Sequence, residues 1–154
     1  MQMPSRLRVS AAVVAAVIGF AAVGTALAQD TDPIERRQDL MKQNGQAAKT
    51  ASQMLKKEVA FDPAKAMEVL TALQTTAEEL PSLFPEDSMT GHDTEAAPAI
   101  WEKPDEFKAA LDKYQADATQ AVAAAPQDLQ AFQQAFGMVA GNCRSCHETF
   151  RIDK

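Results

Sequence analysis

The feature that most restricts the fold of this chain is a set of four prolines. Each proline lies near the start of a stretch whose apolar residues recur at three- and four-residue steps. Apolar residues at that spacing form one face of a helix, and proline is favoured at the first helical position because its missing N–H costs no hydrogen bond there. Residues 29–154 lack the alternation of apolar and polar residues that is typical of strands. The sequence therefore predicts an all-α protein, an antiparallel four-helix bundle. The predicted helices cover residues 33–58, 63–80, 104–125 and 126–151, and they begin at Pro33, Pro63, Pro104 and Pro126.

The first 28 residues have the pattern of a secretory signal peptide. Arg6 and Arg8 precede an apolar run from residue 11 to 27, and Ala26-Leu27-Ala28 forms a small-residue cleavage site. An uncleaved membrane anchor is the alternative, because the run approaches the lower length limit of a spanning helix, but its alanines and glycines favour cleavage. We therefore expect export to the periplasm, a single mature domain over residues 29–154, and no stable membrane insertion after cleavage.

The mature chain is acidic. Residues 29–154 contain 13 lysines and arginines against 21 aspartates and glutamates, a formal charge of −8. Phosphate binding requires a basic surface, so this composition argues against nucleic acid as a partner. It favours a partner protein that presents a basic docking patch.

The connection between the second and third predicted helices, about twenty residues with three prolines and Gly91, is long for a loop inside a compact domain. A long connection can wrap over a cofactor at the end of a bundle. This one ends in Pro98-Ala99-Ile100-Trp101, which contains the only tryptophan of the chain. Trp101 either covers a cofactor with its large apolar surface or fastens the loop to the bundle, and the sequence favours neither.

The most specific motif is Cys143-Arg144-Ser145-Cys146-His147, which matches the C-x-x-C-H signature for attachment of a c-type haem. Two thiols three positions apart on a helix reach the two vinyl groups of one porphyrin, and the adjoining imidazole then binds the iron. A zinc site would require about four ligands, and the other histidine, His92, stands among polar loop residues. A thioredoxin-like pair would require a βαβ setting, and a disulfide would leave His147 unexplained. The motif therefore predicts one covalently bound haem c.

A haem motif at the C-terminal end of an all-helical domain resembles the class II c-type cytochromes, the cytochrome c-prime family. The similarity includes residues 141–151, Arg37 to Gly45, Pro98 to Trp101 and Phe136-Gly137, and it extends over the mature chain. It implies that Cys143 and Cys146 attach the haem and that His147 is the proximal iron ligand. It also implies that the protein is not an enzyme.

The resemblance further implies a distal residue on the first helix, one turn after an arginine that pairs with a haem propionate. Met41 and Arg37 match these positions and lie four residues apart on one helix face, with Arg36 as the alternative partner of the propionate. In the low-spin branch of the family, Met41 would be the sixth iron ligand and the protein a one-electron carrier. In the high-spin branch, it would only guard a five-coordinate iron that binds nitric oxide or other small gases. The run from Arg37 to Gly45 is more similar to the low-spin branch, although a methionine on a helical stripe commonly fills a core.

Three more residues are expected near the haem from their positions. Phe136 and Phe150 are expected in an apolar wall that excludes water. Arg151, four residues after His147, is expected either to tune the imidazole or to stabilise the C-terminal end of the helix. Members of the family that the chain resembles occur as homodimers or as monomers, and the small residues Ala47, Ala48 and Ala51 are compatible with both.

Overall fold

The computed structural model describes residues 32–152, and the predicted signal peptide at residues 1–28 lies outside them. Over the described residues the chain forms four long helices and one short one. The helices are α1 (Pro33–Leu55), α2 (Pro63–Glu79), α3 (Ala99–Glu102), α4 (Pro104–Ala123) and α5 (Leu129–Phe150). The four long helices form an all-α bundle, which confirms the predicted fold class. Within residues 32–152, no helix is both long and apolar enough to cross a lipid bilayer.

Three of the four long helices begin where the prolines predicted. Pro33, Pro63 and Pro104 each lie at the start of a helix. Before the first two, an aspartate caps the helix: Oδ1 of Asp32 accepts a backbone N–H at 2.7 Å, and Oδ1 of Asp62 accepts one at 2.9 Å. These bonds satisfy backbone donors that no helical carbonyl reaches.

The start of α5 differs from the prediction. The sequence pattern places Pro126 at the first position of the fourth helix, but α5 begins at Leu129. Ala125 has a φ of 41°, so the chain turns sharply before the proline, which is fully buried. Oδ1 of Asp128 then accepts the N–H of Ala131 at 2.8 Å. The helix therefore begins where a side-chain cap is available rather than at the proline.

The long helices run antiparallel, so the start of α1 meets the end of α2 and the start of α4 meets the end of α5. Arg36 pairs with Glu79 at 2.5 Å across the first junction, and the ring centroids of Phe107 and Phe150 are 5.0 Å apart across the second. α2 packs against both α1 and α4, and α4 packs against α5. The buried core between them includes Leu40, Met54, Leu70, Leu73, Ala118, Phe132 and Val139.

Residues 80–103 connect α2 to α4 and fold over one end of the bundle. This connection contains α3 and two turns of 3-10 helix, Leu80–Ser82 and Glu86–Ser88. The N–H of Ala97 donates to the carbonyl oxygen of Phe150 at 3.0 Å, which fastens the connection to the end of α5. The long connection is thus a folded cover over the end of the bundle where the last residues of α5 lie.

Candidate functional site

A cleft opens at the covered end of the bundle, between α1 and the C-terminal part of α5. It has two lobes, of about 530 Å³ and 240 Å³. The larger volume lies within the range of small-molecule pockets, and the smaller lies just below it. Five residues line both lobes, namely Met41, Leu80, Leu111, Cys146 and His147. The two lobes therefore form one site, whose long sides are α1 and α5.

The C-x-x-C-H motif forms the α5 side of this cleft. Cys143, Cys146 and His147 lie on one helix face because they are three and four positions apart. Cys146 and His147 line both lobes, and Cys143 lines the smaller one. Cys143 and Cys146 do not form a disulfide with each other, and burial, with a smaller contribution from the nearby Cys143, raises the pKa of the Cys146 thiol above its ordinary value. The two sulfurs are thus available for bonds to a group in the cleft.

A hydrogen-bond network holds the residue immediately before the motif. The buried side chain of Asn142 donates from Nδ2 to Oδ2 of Asp117 on α4 at 2.7 Å, and Lys113 also donates to that carboxylate. These hydrogen bonds lower the pKa of Asp117. Sequence reasoning did not identify this network, because only the packing of α4 against α5 brings together two residues 25 positions apart.

Met41 lies on the α1 side of the cleft, opposite the motif. It lines both lobes and contacts His147. The buried stripe of α1 passes through the neighbouring Leu40, whereas Met41 is 36% exposed and so does not fill the core. Of the five methionines in residues 32–152, Met41 alone lines either lobe. The other histidine, His92, lies outside the cleft, with its Nε2 3.4 Å from a carboxylate oxygen of Asp32.

Both arginines that could pair with a propionate bind protein groups. The buried guanidinium of Arg37 donates to the carbonyl oxygen of Leu83, to the hydroxyl and carbonyl oxygens of Ser88, and to the hydroxyl of Thr94. Arg36 bonds to a carboxylate at the end of α2. Arg37 also lines the larger lobe, but its hydrogen bonds fasten the 80–103 connection to α1. Pairing with a propionate stays a prediction for either arginine.

Aromatic rings form a wall of the larger lobe at its covered end. Phe84, Phe107 and Phe150 all line this lobe. The ring of Phe107 makes edge-to-face contacts with the other two, at centroid distances of 4.7 Å and 5.0 Å. Phe84 was not identified from the sequence, because nothing in the pattern of a loop indicates which of its side chains turns inward.

Trp101 and Phe136 lie elsewhere, and neither lines a lobe of the cleft. The indole Nε1–H of Trp101 donates to the carbonyl oxygen of Phe84 at 3.2 Å. Of the two roles that the sequence left open for Trp101, this hydrogen bond matches the one in which it fastens the loop. Phe136 packs against Phe132, with ring centroids 5.8 Å apart. It precedes His147 by three turns of α5, roughly 16 Å along the helix axis. Phe136 therefore belongs to the packing of the bundle rather than to the wall of the cleft.

Arg151 caps the C-terminal end of α5. Its Nε donates to Oε2 of Glu95 in the 80–103 connection at 2.6 Å, and its backbone N–H donates to the carbonyl oxygen of His147 at 3.3 Å. Arg151 also lines the larger lobe. The side chain thus ties the connection to α5 and places a cation at the negative end of the helix dipole.

A polar cluster lines the smaller lobe one turn after Met41. Oδ1 of Asn44 accepts the hydroxyl of Thr76 on α2 at 2.8 Å, and Nδ2 of Asn44 donates to the hydroxyl of Tyr114 on α4 at 3.4 Å. Tyr114 donates to the carbonyl oxygen of Leu73 at 2.9 Å, and its burial raises its pKa. The cluster joins three helices. Sequence reasoning missed it, and the only signal was a polar residue one turn after a candidate ligand.

The cleft fits a covalently attached haem. Its lining is mainly apolar, and two thiols and an imidazole lie on one helix across from a thioether on another. Sulfur and imidazole nitrogen are ligands suited to haem iron. Within residues 32–152, no group of three or more histidine, cysteine, aspartate or glutamate side chains is placed so that it could hold a metal ion.

Known proteins similar to this chain have the same architecture. Residues 32–151 match the family model described as Cytochrome C'. The chain is 39% identical to the cytochrome c' of Rhodopseudomonas palustris over 142 residues, which cover 92% of this chain and 97% of that protein. It is 36% identical to a cytochrome c-556 of Agrobacterium fabrum over 121 residues, 79% of this chain and 82% of the relative. The solved structure of cytochrome c' from Rhodopseudomonas palustris aligns with a TM-score of 0.75 and 42% identity over 80% of this chain and 98% of that one.

These matches span the bundle, the connection and the haem motif together. The family consists of non-enzymatic haem proteins. It implies one covalent haem c, for which Cys143 and Cys146 are present. The chain belongs to the cytochrome c' family.

Proposed function

We propose that this protein is a one-electron carrier of the periplasm whose haem iron is held by His147 and Met41. Relatives named cytochrome c' and relatives named cytochrome c-556 are both similar to the chain, so family membership alone does not separate a carrier from a gas-binding protein. The observation that carries the proposal is the contact between Met41 and His147 across the cleft. The two side chains come from opposite sides of the site, so both could hold one iron of a haem bound between them.

The residues of the cleft create the conditions for electron transfer. When bound, the haem supplies a reversible one-electron change at its iron. An imidazole opposite a thioether is the ligand pair of electron-transferring cytochromes, and the thioether raises the reduction potential. If His147 and Met41 both bound the iron, a gas or a substrate could reach it only by displacing one of them. Phe84, Phe107 and Phe150 give the larger lobe an apolar wall at its covered end.

For this carrier we propose a partner protein with a basic surface. The charge of the mature chain is unevenly distributed: residues 78–106 contain nine acidic residues and one lysine, whereas the rest of residues 29–154 contains twelve acidic and twelve basic residues. Residues 78–106 comprise the connection over the cleft and the helix ends beside it. A positively charged surface would therefore be attracted to the end of the molecule that holds the site, which speeds productive encounters.

Export to the periplasm completes the proposal. The family is typically periplasmic, and residues 1–28 have the pattern of a cleaved signal peptide. Sequencing of the N-terminus of the protein from a periplasmic fraction tests this directly. We expect the chain to begin at Gln29, and a chain that still begins at Met1 would contradict cleavage.

Carbon monoxide tests the ligand assignment, because it binds a ferrous haem whose sixth position is open. The reduced wild-type protein is expected to bind it only slowly, whereas Met41→Ala is expected to bind it readily and to become high-spin. Met54→Ala is the matched control, since Met54 is fully buried in α1 and does not line the cleft. Equally fast binding by the wild type and by Met41→Ala would contradict the proposal and would favour the five-coordinate, gas-binding function.

A further inference from the structure

Met41 lies between two polar anchors on α1. Four residues before it, Arg37 fastens α1 to the 80–103 connection. Three residues after it, Asn44 fastens α1 to α2 and α4 through Thr76 and Tyr114. Residues at these spacings share one face of a helix, and all three α1 residues line the cleft. The backbone of Met41 is therefore held on both sides by contacts with other elements.

Direct packing between α1 and α5 does little to set the distance between them. α1 packs chiefly against α2, and the cleft separates the middle of α1 from the motif at the end of α5. The reach of Met41 toward His147 thus depends on where α2, α4 and the connection hold α1. An anchor near Met41 controls that position most directly.

Asn44 is the anchor within the site itself. It lines the smaller lobe together with Met41, whereas the hydrogen bonds of Arg37 run to the connection. Thr76, which donates to Asn44 at 2.8 Å, is fully buried. A buried hydroxyl that loses its hydrogen-bond partner destabilises the arrangement that unpairs it. The hydrogen bond between Asn44 and Thr76 therefore stabilises one rotation of α1 about its own axis relative to slightly different rotations.

We propose that Asn44 is a positioning residue for Met41: its hydrogen bonds to Thr76 and Tyr114 hold α1 in the setting in which the Met41 thioether reaches the haem iron opposite His147. This inference rests on the proposed ligation by His147 and Met41. Without the anchor, α1 shifts at Met41, and in part of the population the thioether is withdrawn and the distal side of the site is open.

Three variants of the haem-loaded protein test the role of Asn44. Asn44→Leu keeps the approximate size of the side chain and removes both hydrogen bonds, and Thr76→Val removes one of them from the other side. Val69→Ala is the control, because Val69 is buried in α2 outside the cleft and its truncation lowers stability without touching the anchor. The measurements are the rate of carbon monoxide binding, the high-spin fraction of the ferrous protein from its visible spectrum, and the urea midpoint of unfolding.

We expect Asn44→Leu to raise the rate of carbon monoxide binding roughly five- to a hundredfold, the population change that follows from losing two hydrogen bonds. Thr76→Val should show a smaller rise in both the rate and the high-spin fraction, and Val69→Ala none. A wild-type rate and spectrum in Asn44→Leu would overturn the inference and leave the ligation intact. An equal rise in Val69→Ala would also overturn it, since any loss of stability would then suffice. Ready binding by the wild type would instead overturn the ligation by Met41, and the positioning role with it.

Discussion

Nδ2 of Asn142 lies 2.7 Å from Oδ2 of Asp117, so α4 holds the residue that immediately precedes the first cysteine of the haem motif. Asn142 is only 5% exposed, and Lys113 donates to the same carboxylate. The motif thus begins at a point where α5 is fixed to α4 by side chains of the protein alone. On the opposite side of the cleft, Asn44 fixes α1 one turn after Met41.

Asp117→Asn is expected to lower the melting temperature at pH 7 and to have little effect near pH 2. Hydrogen bonds from Asn142 and Lys113 lower the pKa of Asp117 in the folded protein. The ionised group therefore stabilises the fold above the ordinary aspartate pKa of about 3.9, and this contribution is lost as the pH falls through the lowered pKa. Circular-dichroism melts of the holoprotein at the two pH values measure the difference.

The control for this prediction is Asp112→Asn, since Asp112 lies in the same helix and forms an exposed pair with Lys108. Exposed pairs of this kind contribute little to stability, so its melting temperature should stay close to that of the wild type at pH 7. A loss in Asp117→Asn that is the same at both pH values would show that the charge of Asp117 is not what stabilises the motif.

Replacing Cys143 and Cys146 together by alanine is expected to make the haem extractable with acid acetone, because both thioether bonds are then absent. Arg144→Ala is the control, since this exposed residue stands between the two cysteines in the sequence and its side chain pairs with Glu148. The measurement is the absorbance that remains with the precipitated protein. Retention of the pigment by the double variant would mean that the haem is attached elsewhere.

Arg37→Lys is expected to lower the free energy of unfolding by about 2 kcal/mol, because a lysine retains the charge but loses most of the hydrogen bonds to Leu83, Ser88 and Thr94. Arg36→Lys should cost less than about 1 kcal/mol, since its pair with Glu79 is partly exposed. Urea unfolding of the two variants measures both values. Equal losses would show that the buried position of Arg37 adds nothing to the attachment of the connection.

Trp101→Phe is expected to cost about 1 kcal/mol of stability through the loss of the indole hydrogen bond to Phe84. The visible spectrum of the haem should stay unchanged, because Trp101 does not line the cleft. Urea unfolding and absorption spectroscopy of the same sample test the two parts. A shifted haem spectrum would show that Trp101 forms part of the site after all.

The features that could be predicted from the sequence are local ones. Pro33, Pro63 and Pro104 mark helix starts because the constraint on a proline depends only on its own backbone and the adjacent turn. Cys143, Cys146 and His147 share a helix face because their spacing alone decides it. The four-helix fold and the residues of the haem motif could therefore be predicted from such local rules.

The features that escaped prediction depend on contacts between distant segments. Phe84 rather than Phe136 lines the cleft, because the path of the 80–103 connection decides which rings reach it. Arg37 binds the connection for the same reason. The predicted start of α5 at Pro126 is wrong. The turn at Ala125 and the side-chain cap from Asp128 outweigh the preference of proline for the first helical position.

The bond between the Met41 sulfur and the haem iron is tested most directly by the NMR spectrum of the reduced protein with isotopically labelled methionine methyl groups. A methyl group held against the porphyrin ring is shifted far upfield by the ring current. We predict one such resonance among the five methionines of residues 29–154, and its disappearance in Met41→Leu. Five methyl resonances at ordinary positions in the wild type, or a reduced protein that is paramagnetic, would contradict ligation by Met41.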